Sequence, residues 1–274
     1  MKVDVAICAW NSNKPWFKRC LASIKREIPL CHFITVDRSS NDGTVETIKK
    51  FFPEAIIIES TSNLAKARQE AIKYVDTKLF IFIDDDIELC EGWFKTISSH
   101  MKNDVGAISG LALPTLNWLK KFSLYSPKMA SEFKREWKVG RRIYLSNTLI
   151  ATDLVRDWSP SILISAGEDE HLSRHILKKG YDTILLDNLY VNHYGKWGVF
   201  SAKKNLWLNS GARLLGYQSF TVTNLIRRFF TSPFKGMYAC IKLKEPLILP
   251  YLILSDFYNL KGWIQWNKYV IWKR

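Results

Sequence analysis

The sequence predicts an α/β protein with a mixed, mainly parallel sheet, flanking helices and a basic, aromatic-rich helical region at its C-terminal end. Short apolar runs alternate with amphipathic segments of helical period through the first hundred residues, the order typical of a parallel sheet. One run, Leu79–Ile83, shows no polar alternation and therefore predicts a strand covered on both faces. Beyond residue 200, basic residues are mixed with Trp, Phe and Tyr.

The elements of the first half follow one another at short spacing. Strands are predicted at residues 3–9, 32–36, 55–59 and 79–83, and helices at residues 15–28, 45–52 and 63–75. Asn13 is suited to cap the first helix and Pro15 to lie in its first turn, while Pro29 ends it. This β-α-β-α-β-α-β order predicts a doubly wound sheet.

The second half gives a less regular pattern. Residues 184–187 and 189–193 predict a pair of strands and residues 203–215 a helix, whereas residues 224–238 mix basic with large apolar residues. A basic, aromatic-rich segment at residues 118–142 is predicted to be a loop; it contains Trp118, Lys120, Lys121, Phe122, Tyr125, Lys128, Lys134, Arg135 and Trp137.

Composition excludes several classes of protein. With 274 residues, 47% of them hydrophobic and 24% charged, the chain is globular rather than disordered. Its five cysteines are scattered without a CxxC pair, which argues for reduced thiols and against a zinc site or a disulfide framework. No signal peptide is predicted, and the longest apolar run, residues 246–254, is too short to span a membrane. We therefore predict a cytoplasmic location.

Three consecutive carboxylates, Asp84–Asp86, end the central apolar strand. In α/β proteins the carboxyl ends of parallel strands open into the ligand crevice. Adjacent carboxylates repel one another unless a cation offsets the repulsion, and carboxylate oxygens suit Mg²⁺ or Mn²⁺. The alternative is an acidic turn that caps the next helix.

The other predicted strands bring further polar residues to the same edge. Trp10 and Asn11 follow the first strand, Asp37 the second, and residues 60–63 the third. Neither GxGxxG nor GxxxxGK[ST] occurs in the chain, so the dinucleotide fingerprint and the P-loop are both excluded. A nucleotide at this edge would be held by carboxylates and a metal.

Four motifs in this order resemble the family-2 glycosyltransferases of the GT-A fold. They are Ala9-Trp10-Asn11, the run from Asp37 to Thr44, the run from Asn63 to Arg68, and Asp84–Asp86 in the place of the DxD motif. The resemblance covers residues 2 to about 197. It implies a metal-dependent hexosyltransferase that moves a sugar, with inversion, from a UDP- or GDP-sugar to a saccharide or a polyprenyl-linked acceptor.

The resemblance also implies roles for single residues. Donor binding falls to Ala9, Trp10, Asn11, Asp37, Asn63, Arg68, Asp84 and Asp85, and metal binding to Asp86 and His193. Asp37 would bind the base, Asp84 would face the ribose, and Asp86 would bind the Mn²⁺ or Mg²⁺ that bridges the phosphates. For Arg68 a solvated helix face is the alternative, and for His193 a structural role. Leu64 replaces the usual glycine of its motif.

A second set of motifs concerns the acceptor. Residues 167–174 and 179–181 resemble the acidic start of the acceptor-side helix and the glycine at its end, with Asp169 as general base and Glu168 as its neighbour or substitute. Acids at a helix N-terminus are also good capping chemistry. His171 and His175, one turn apart, are interpreted as surface or packing residues. Residues 118–142 correspond to a variable acceptor-side segment.

The resemblance predicts a catalytic domain at residues 1–200, with a nucleotide-sugar half at 1–100 and an acceptor half at 101–200. The remaining region, residues 201–274, carries twelve Lys and Arg against two acids, which is +10 of the formal net charge of +14. This region predicts an amphipathic attachment to an anionic membrane surface, on the cytoplasmic face, near a lipid-linked acceptor. The alternative is an appendage that packs on the catalytic domain.

Three other functions are compatible with parts of the sequence. A retaining transferase of the same fold is the nearest alternative. A nucleotidyltransferase normally has a Gly-rich, basic loop after the first strand, which residues 9–13 lack. A nucleic-acid-binding protein would explain the basic charge but not the carboxylates at the strand ends, which repel phosphate, so no nucleic acid partner is expected.

Overall fold

A computed structural model describes residues 1–132, 143–161, 164, 166–216 and 221–269. The chain divides into two compact units. The first unit comprises the described residues of Met1–Leu113, Lys138–Ser161 and Glu168–Tyr194, and the second those of Pro114–Trp137, Ile162–Gly167 and Gly195–Arg274.

Eight strands and ten α-helices occur in the described part of the chain. The strands are β1 (Val3–Ala9), β2 (Leu30–Asp37), β3 (Ile56–Glu59), β4 (Leu79–Ile83), β5 (Ile87–Leu89), β6 (Val105–Pro114), β7 (Asn147–Ala151) and β8 (Asp182–His193). The helices are α1 (Pro15–Glu27), α2 (Thr44–Phe51), α3 (Leu64–Ile72), α4 (Trp93–Ser99), α5 (Asn117–Glu132), α6 (Glu168–Lys178), α7 (Asn205–Leu214), α8 (Val222–Leu243), α9 (Ile248–Ile264) and α10 (Trp266–Tyr269).

The strands form one mixed sheet in the order β3-β2-β1-β4-β7-β6-β8-β5. Strands β3, β2, β1 and β4 are parallel, whereas β7 pairs antiparallel with β4 and β6, and β5 pairs antiparallel with β8. The register aligns Ala9 with Asp37 and Asp37 with Glu59. The carboxyl ends of β1, β2 and β3 therefore meet at one edge, as the sequence predicts.

Both faces of the parallel strands are covered. On β4, Ile81 and Ile83 belong to the core cluster that contains the apolar face of α1, and Phe80 and Phe82 to the cluster that contains α3. All four side chains are buried, because successive residues of a strand point to opposite faces. The predicted α/β fold class, with flanking helices and a helical C-terminal region, is confirmed.

The predicted loop at residues 118–142 is wrong for its described part, because α5 extends to Glu132. Its apolar side chains recur at helical spacing, and they pack in one cluster with residues of α8 and α9 of the same unit. The cluster contains Trp118, Leu119, Phe122, Met129, Ala239 and Ile248. The remainder of the segment, including Lys134, Arg135 and Trp137, lies outside the described residues, as does Trp272 of the basic tail.

One further prediction differs from the structure. The expected pair of strands before His193 is one strand, β8, since β6 and β5 flank it and supply hydrogen bonds on its two sides. Of the C-terminal helices, α7 corresponds to the helix predicted at residues 203–215, whereas α8 and α9 lie in the region that was predicted to be helical without bounds for single helices. Among the described residues, no helix combines the length and the apolar character needed to cross a membrane.

Candidate active site

The acidic turn Asp84–Asp86 connects β4 with β5 and does not cap a helix. The next helix, α4, begins at Trp93 with Gly92 at its N-cap. The backbone N–H of Asp84 donates to the carbonyl oxygen of Ser146 at 3.0 Å, which ties the turn to the start of β7. The alternative reading of these carboxylates as a helix cap is therefore wrong.

Arg68 links this turn to the start of α6. Its Nη2 lies 2.7 Å from Oδ1 of Asp84, and its Nη1 lies 2.7 Å from Oε1 of Glu168. The residue is only 3% exposed, so the alternative of a solvated helix face is wrong. Burial by itself would lower the pKa of Arg68, but the carboxylates of Asp84 and Glu168 outweigh this effect and raise the pKa above its ordinary value.

Glu168 is the first residue of α6 and is buried. Burial raises its pKa from 4.5 to about 7, with Arg68 acting in the opposite direction and Asp169 adding to the rise. Asp169 is partly exposed, and its Oδ1 accepts the backbone N–H of Glu170 at 2.8 Å. The two predicted acceptor-side carboxylates thus have different environments: one is buried in an ion pair, and the other is open to solvent.

Asp85 contacts the loop that follows β1. The hydroxyl of Ser12 donates to Oδ2 of Asp85, and Ser12 itself is buried. Burial and the neighbouring charge of Asp86 raise the pKa of Asp85 to about 7, while the hydrogen bond from Ser12 opposes the rise. The carboxylate is therefore stabilised in its ionised form by any positive charge placed beside it.

Asp86 and His193 lie together at the end of the β5–β8 ladder, in which Ile87 pairs with His193. Nε2 of His193 is 3.2 Å from Oδ2 of Asp86, and both side chains are about one quarter exposed, at 26%. A carboxylate oxygen and an imidazole nitrogen at the mouth of an acidic turn are ligand types that Mn²⁺ accepts. These residues fit a divalent cation.

Another group with the chemistry of a metal site lies at the opposite end of β1. One potential ligand atom from each of Asp4, Cys31 and His32 lies within 4.8 Å of the others. The carboxylate of Asp4 is fully buried and already accepts backbone N–H groups of His32, Asp76 and Thr77 at 2.7–3.1 Å. This aspartate therefore orders the chain at the amino ends of the strands and is remote from the acidic turn.

The residues predicted to bind the nucleoside form a hydrogen-bonded loop pair. Asp37 is 3% exposed, and its carboxylate accepts the backbone N–H of Ser40 at 2.8 Å and the Ser40 hydroxyl at 2.6 Å. The same hydroxyl accepts the N–H of Asn11 at 2.8 Å, and Asn11 has a positive φ of 49°. Trp10 is 38% exposed, with the guanidinium of Arg38 at 5.3 Å from its ring centroid.

Ala9 and Asn63 support the neighbouring backbone. The carbonyl oxygen of Ala9 accepts the N–H of Arg38 at 2.9 Å, which joins the ends of β1 and β2. Asn63 is the N-cap of α3, and its side-chain oxygen accepts the N–H of Lys66 at 3.0 Å. The helix that this cap starts is the one that carries Arg68.

Of the predicted packing residues, His171 accepts the indole N–H of the buried Trp158 at 2.9 Å, and His175 lies 3.2 Å from Asp157. Their interpretation as packing and surface residues is confirmed.

The comparison with protein families decides the family of the chain. The model described as "Glycosyl transferase family 2" matches residues 4–144, which is more than half of the chain. The chain belongs to glycosyltransferase family 2. The predicted enzyme class, a glycosyltransferase, is thereby confirmed. A sequence comparison with curated proteins gave no match.

Solved structures similar to this glycosyltransferase share its fold at low sequence identity. The mannosyltransferase PcManGT from Pyrobaculum calidifontis in complex with GDP-Man and Mn²⁺ has a TM-score of 0.63 and 15% identity, over 94% of this chain and 87% of that chain. S. aureus TarS 1-349 in complex with UDP has a TM-score of 0.54 and 11% identity, over 98% and 90%. Glucosyl-3-phosphoglycerate synthase from Mycobacterium tuberculosis, in complex with Mn²⁺, UDP and phosphoglyceric acid, has a TM-score of 0.52 and 13% identity, over 72% of each chain.

Two contacts of the glycosyltransferase site were not predicted. Ser12 was predicted only to lie in the loop after the first strand, without a contact to Asp85. The signal for this contact is that a hydroxyl three residues beyond a strand end can reach the adjacent turn. The ion pair between Arg68 and Glu168 was also missed. The sequence does carry a signal for the burial of Arg68, which stands four residues after Leu64 and four before Ile72 and so shares their apolar face of α3.

Proposed function

We propose that this glycosyltransferase moves a sugar from a nucleoside-diphosphate sugar, with UDP or GDP as the leaving group, to a saccharide or polyprenyl-linked acceptor with inversion at the anomeric carbon. The observation that supports this most directly is the position of Arg68. It holds a donor-side carboxylate, Asp84, and an acceptor-side carboxylate, Glu168, on one guanidinium. Donor and acceptor groups at one sheet edge are what a single displacement requires.

A divalent cation, Mn²⁺ or Mg²⁺, is part of the proposal. Asp86, with His193 beside it, would hold the cation, and when bound the cation supplies positive charge for the leaving diphosphate. Two of the similar structures are named as complexes with Mn²⁺ together with GDP-Man or UDP. The acidic turn by itself would repel the phosphates of the donor, so the cation also makes donor binding possible.

The protein's own groups would act as follows. Asp37 binds the base and Asp84 the ribose, while Trp10, Asn11 and Asn63 line the donor. The partly exposed carboxylate of Asp169 takes the proton from an acceptor hydroxyl as that oxygen attacks the anomeric carbon from the face opposite the diphosphate. Glu168, in its ion pair with Arg68, keeps the first turn of α6 in place for this step.

Replacement of Asp169 by Asn tests this assignment. With sugar acceptors, Asp169→Asn is expected to lower kcat by about two to four decades, because a general base contributes that much. With a polyprenyl phosphate acceptor, whose oxygen is already ionised, the loss should be much smaller. Release of nucleoside diphosphate from UDP- and GDP-sugars with Mn²⁺ measures both rates, and NMR of the product's anomeric proton measures the stereochemistry.

The matched control is Asp187→Asn, at an exposed position of β8. It is expected to retain wild-type rates. Equal rates for Asp169→Asn and the wild type with sugar acceptors would remove the base role, and a product of retained configuration would replace inversion with the retaining alternative.

The basic C-terminal region is proposed to attach the enzyme to an anionic membrane, on the cytoplasmic face, where a lipid-linked acceptor would lie. The excess of twelve Lys and Arg over two acids beyond residue 200 supports this. Packing of the region on the catalytic domain is the alternative.

A further inference from the structure

Helix α8 has a continuous stripe of large apolar side chains that are open to solvent. Its members recur every three or four residues and so share one face of the helix. They are Ile226, Phe230, Phe234, Met237 and Ile241, with exposed fractions of 42%, 68%, 70%, 50% and 78%. A helix on the surface of a soluble domain normally turns such a stripe toward the core.

The opposite face of α8 is the buried one: its fully buried residues are Leu225 and three small ones, Ser232, Gly236 and Ala239, and Leu243 is partly buried. A Cβ added at Gly236 would lie 3.0 Å from Cα of Leu249 in α9. Small side chains thus allow α8 and α9 to approach closely, whereas the large apolar ones face outward. This arrangement is typical of helices that pack within a lipid environment.

Helix α9 likewise has polar residues on its buried side and large apolar residues on its exposed side. Besides Ile248 it buries Asp256, Asn259 and Gly262, and it exposes Phe257 and Ile264. Asp256 accepts from the guanidinium of Arg228 at 3.0 Å and from the amide of Asn259 at 3.2 Å. Asn259 in turn accepts from the buried Asn209 of α7. These side chains therefore hydrogen-bond one another inside the helical region, as polar residues facing the interior of a membrane-associated bundle do, although Oδ1 of Asn209 is buried without a hydrogen-bond partner among the described residues.

The charge of α8 favours an anionic partner. The helix carries four cations, Arg227, Arg228, Lys235 and Lys242, and no acidic residue. Arg227 and Lys242 are exposed. An apolar stripe with basic residues beside it is the pattern of a helix that lies in the plane of an anionic membrane interface.

We propose that the exposed face of α8 lies in the interface of an anionic phospholipid membrane. Its apolar stripe enters the boundary between headgroups and acyl chains, and its exposed cations Arg227 and Lys242 contact lipid phosphates. The inference rests on the proposed membrane attachment of this glycosyltransferase and names the surface that makes it. Phe257 and Ile264 of α9 extend the apolar surface of the same helical region.

Co-sedimentation with vesicles of phosphatidylcholine and phosphatidylglycerol in a two-to-one ratio, at low salt, tests this surface. The stripe variant Phe230→Ser, Phe234→Ser, Ile241→Ser is expected to bind the vesicles about a hundredfold more weakly than the wild type, because three large apolar groups no longer leave water. The corresponding triple leucine variant keeps the apolar surface and is expected to bind within about threefold of the wild type. Neutral phosphatidylcholine vesicles should bind more weakly than the anionic ones.

The control variant Tyr74→Ser, Leu124→Ser replaces two side chains that are 44% and 45% exposed and lie outside α8. It should bind vesicles as the wild type does. A wild type that does not sediment with the anionic vesicles, or a stripe variant that binds as tightly as the wild type, overturns the inference. If the wild type forms a dimer that the stripe variant does not form, and neither protein binds vesicles, the stripe contacts a second copy of the chain. This result also overturns the inference.

The melting temperature with Mn²⁺ and UDP or GDP separates this inference from the proposed reaction. The stripe variant should keep the wild-type nucleotide-induced rise, since its changes lie outside the donor site. If vesicle binding depends on the stripe but no nucleotide raises the melting temperature of the wild type, the membrane surface stands and the proposed glycosyl transfer fails. If a nucleotide raises the melting temperature of the wild type but the wild type does not bind vesicles, the proposed glycosyl transfer stands and the membrane surface fails.

Discussion

Arg68 is the residue on which the candidate active site depends most. It lies 2.7 Å from both Asp84 and Glu168 and is almost completely buried. Without it, the carboxylate of Glu168 would be buried without a paired charge, at a cost on the order of several kcal/mol. The guanidinium thus allows Glu168 to lie near a turn that already carries three carboxylates.

The pKa of Glu168 makes the stability of the enzyme depend on pH. Burial raises this pKa from 4.5 to about 7, so between these values the folded chain binds more protons than the unfolded chain. The contribution of Glu168 to stability is therefore fully present below pH 4.5 and is lost as the pH rises through about 7. Relative to Glu168→Gln, the free energy of unfolding of the wild type should fall by about 3 kcal/mol across this range.

Urea denaturation of the wild type and Glu168→Gln at a series of pH values measures this difference. The other titrating groups of the site, Asp85 among them, are present in both chains, so their contributions cancel to first order. Parallel stability curves for the two proteins would show that Glu168 has an ordinary pKa.

At the level of elements, α9 packs against α7 through a glycine. A Cβ added at Gly262 would lie 2.3 Å from the carbonyl oxygen of Leu206, which is backbone and cannot move aside as a side chain can. Gly262→Ala is therefore expected to lower the free energy of unfolding by about 1–3 kcal/mol. Thermal or urea denaturation measures the loss.

Gly198→Ala is the control, because an added Cβ there meets nothing within 4 Å and the φ of 167° is extended backbone. Its stability should remain within about 0.5 kcal/mol of the wild type. Equal stability of the two alanine variants would mean that α7 and α9 do not approach as closely as described.

Elements with a local signal were predictable from the sequence, and the others were not. Strands β1 to β4 appear as apolar runs between Pro, Asn and Gly signals. Helix α5 was missed because Pro127 and several lysines lie in it, although its apolar residues keep helical spacing. Helix α9 is apolar along most of its length, with too few polar residues to give a clear period, and Pro250 lies in its first turn, where proline is tolerated.

The same distinction holds for the candidate site. The motif residues at the ends of β1, β2 and β4 were placed at one edge because parallel strands end there. The partner of Arg68 was not predictable, since Glu168 lies a hundred residues further along the chain and no local pattern connects them. The roles of the site residues in donor, metal and acceptor binding remain predictions.

For the whole molecule, the division into units differs from the proposed division at residue 200. The second unit joins α5 with the C-terminal helices, and the apolar side chains of α5 pack with Ala239, Ile248 and Tyr251. A chain that ends at residue 200 would leave this apolar face of α5 without its partners. We expect such a chain to aggregate or to bind a hydrophobic dye, which light scattering and dye fluorescence measure.

A chain of residues 1–269 is the control and should behave as the full-length protein. If residues 1–200 were monomeric, bound no dye and unfolded cooperatively, the catalytic domain would be complete at residue 200, as first predicted from the sequence.

The central claim at this scale is that the acidic edge of the sheet holds a cation against the diphosphate of a sugar donor. Anomalous diffraction at the manganese edge, from crystals grown with Mn²⁺ and UDP or GDP, tests it most directly. We expect an anomalous peak within bonding distance of the Asp86 carboxylate, beside His193 and in contact with the nucleotide phosphates. A nucleotide bound elsewhere, or no peak at Asp86, would contradict it.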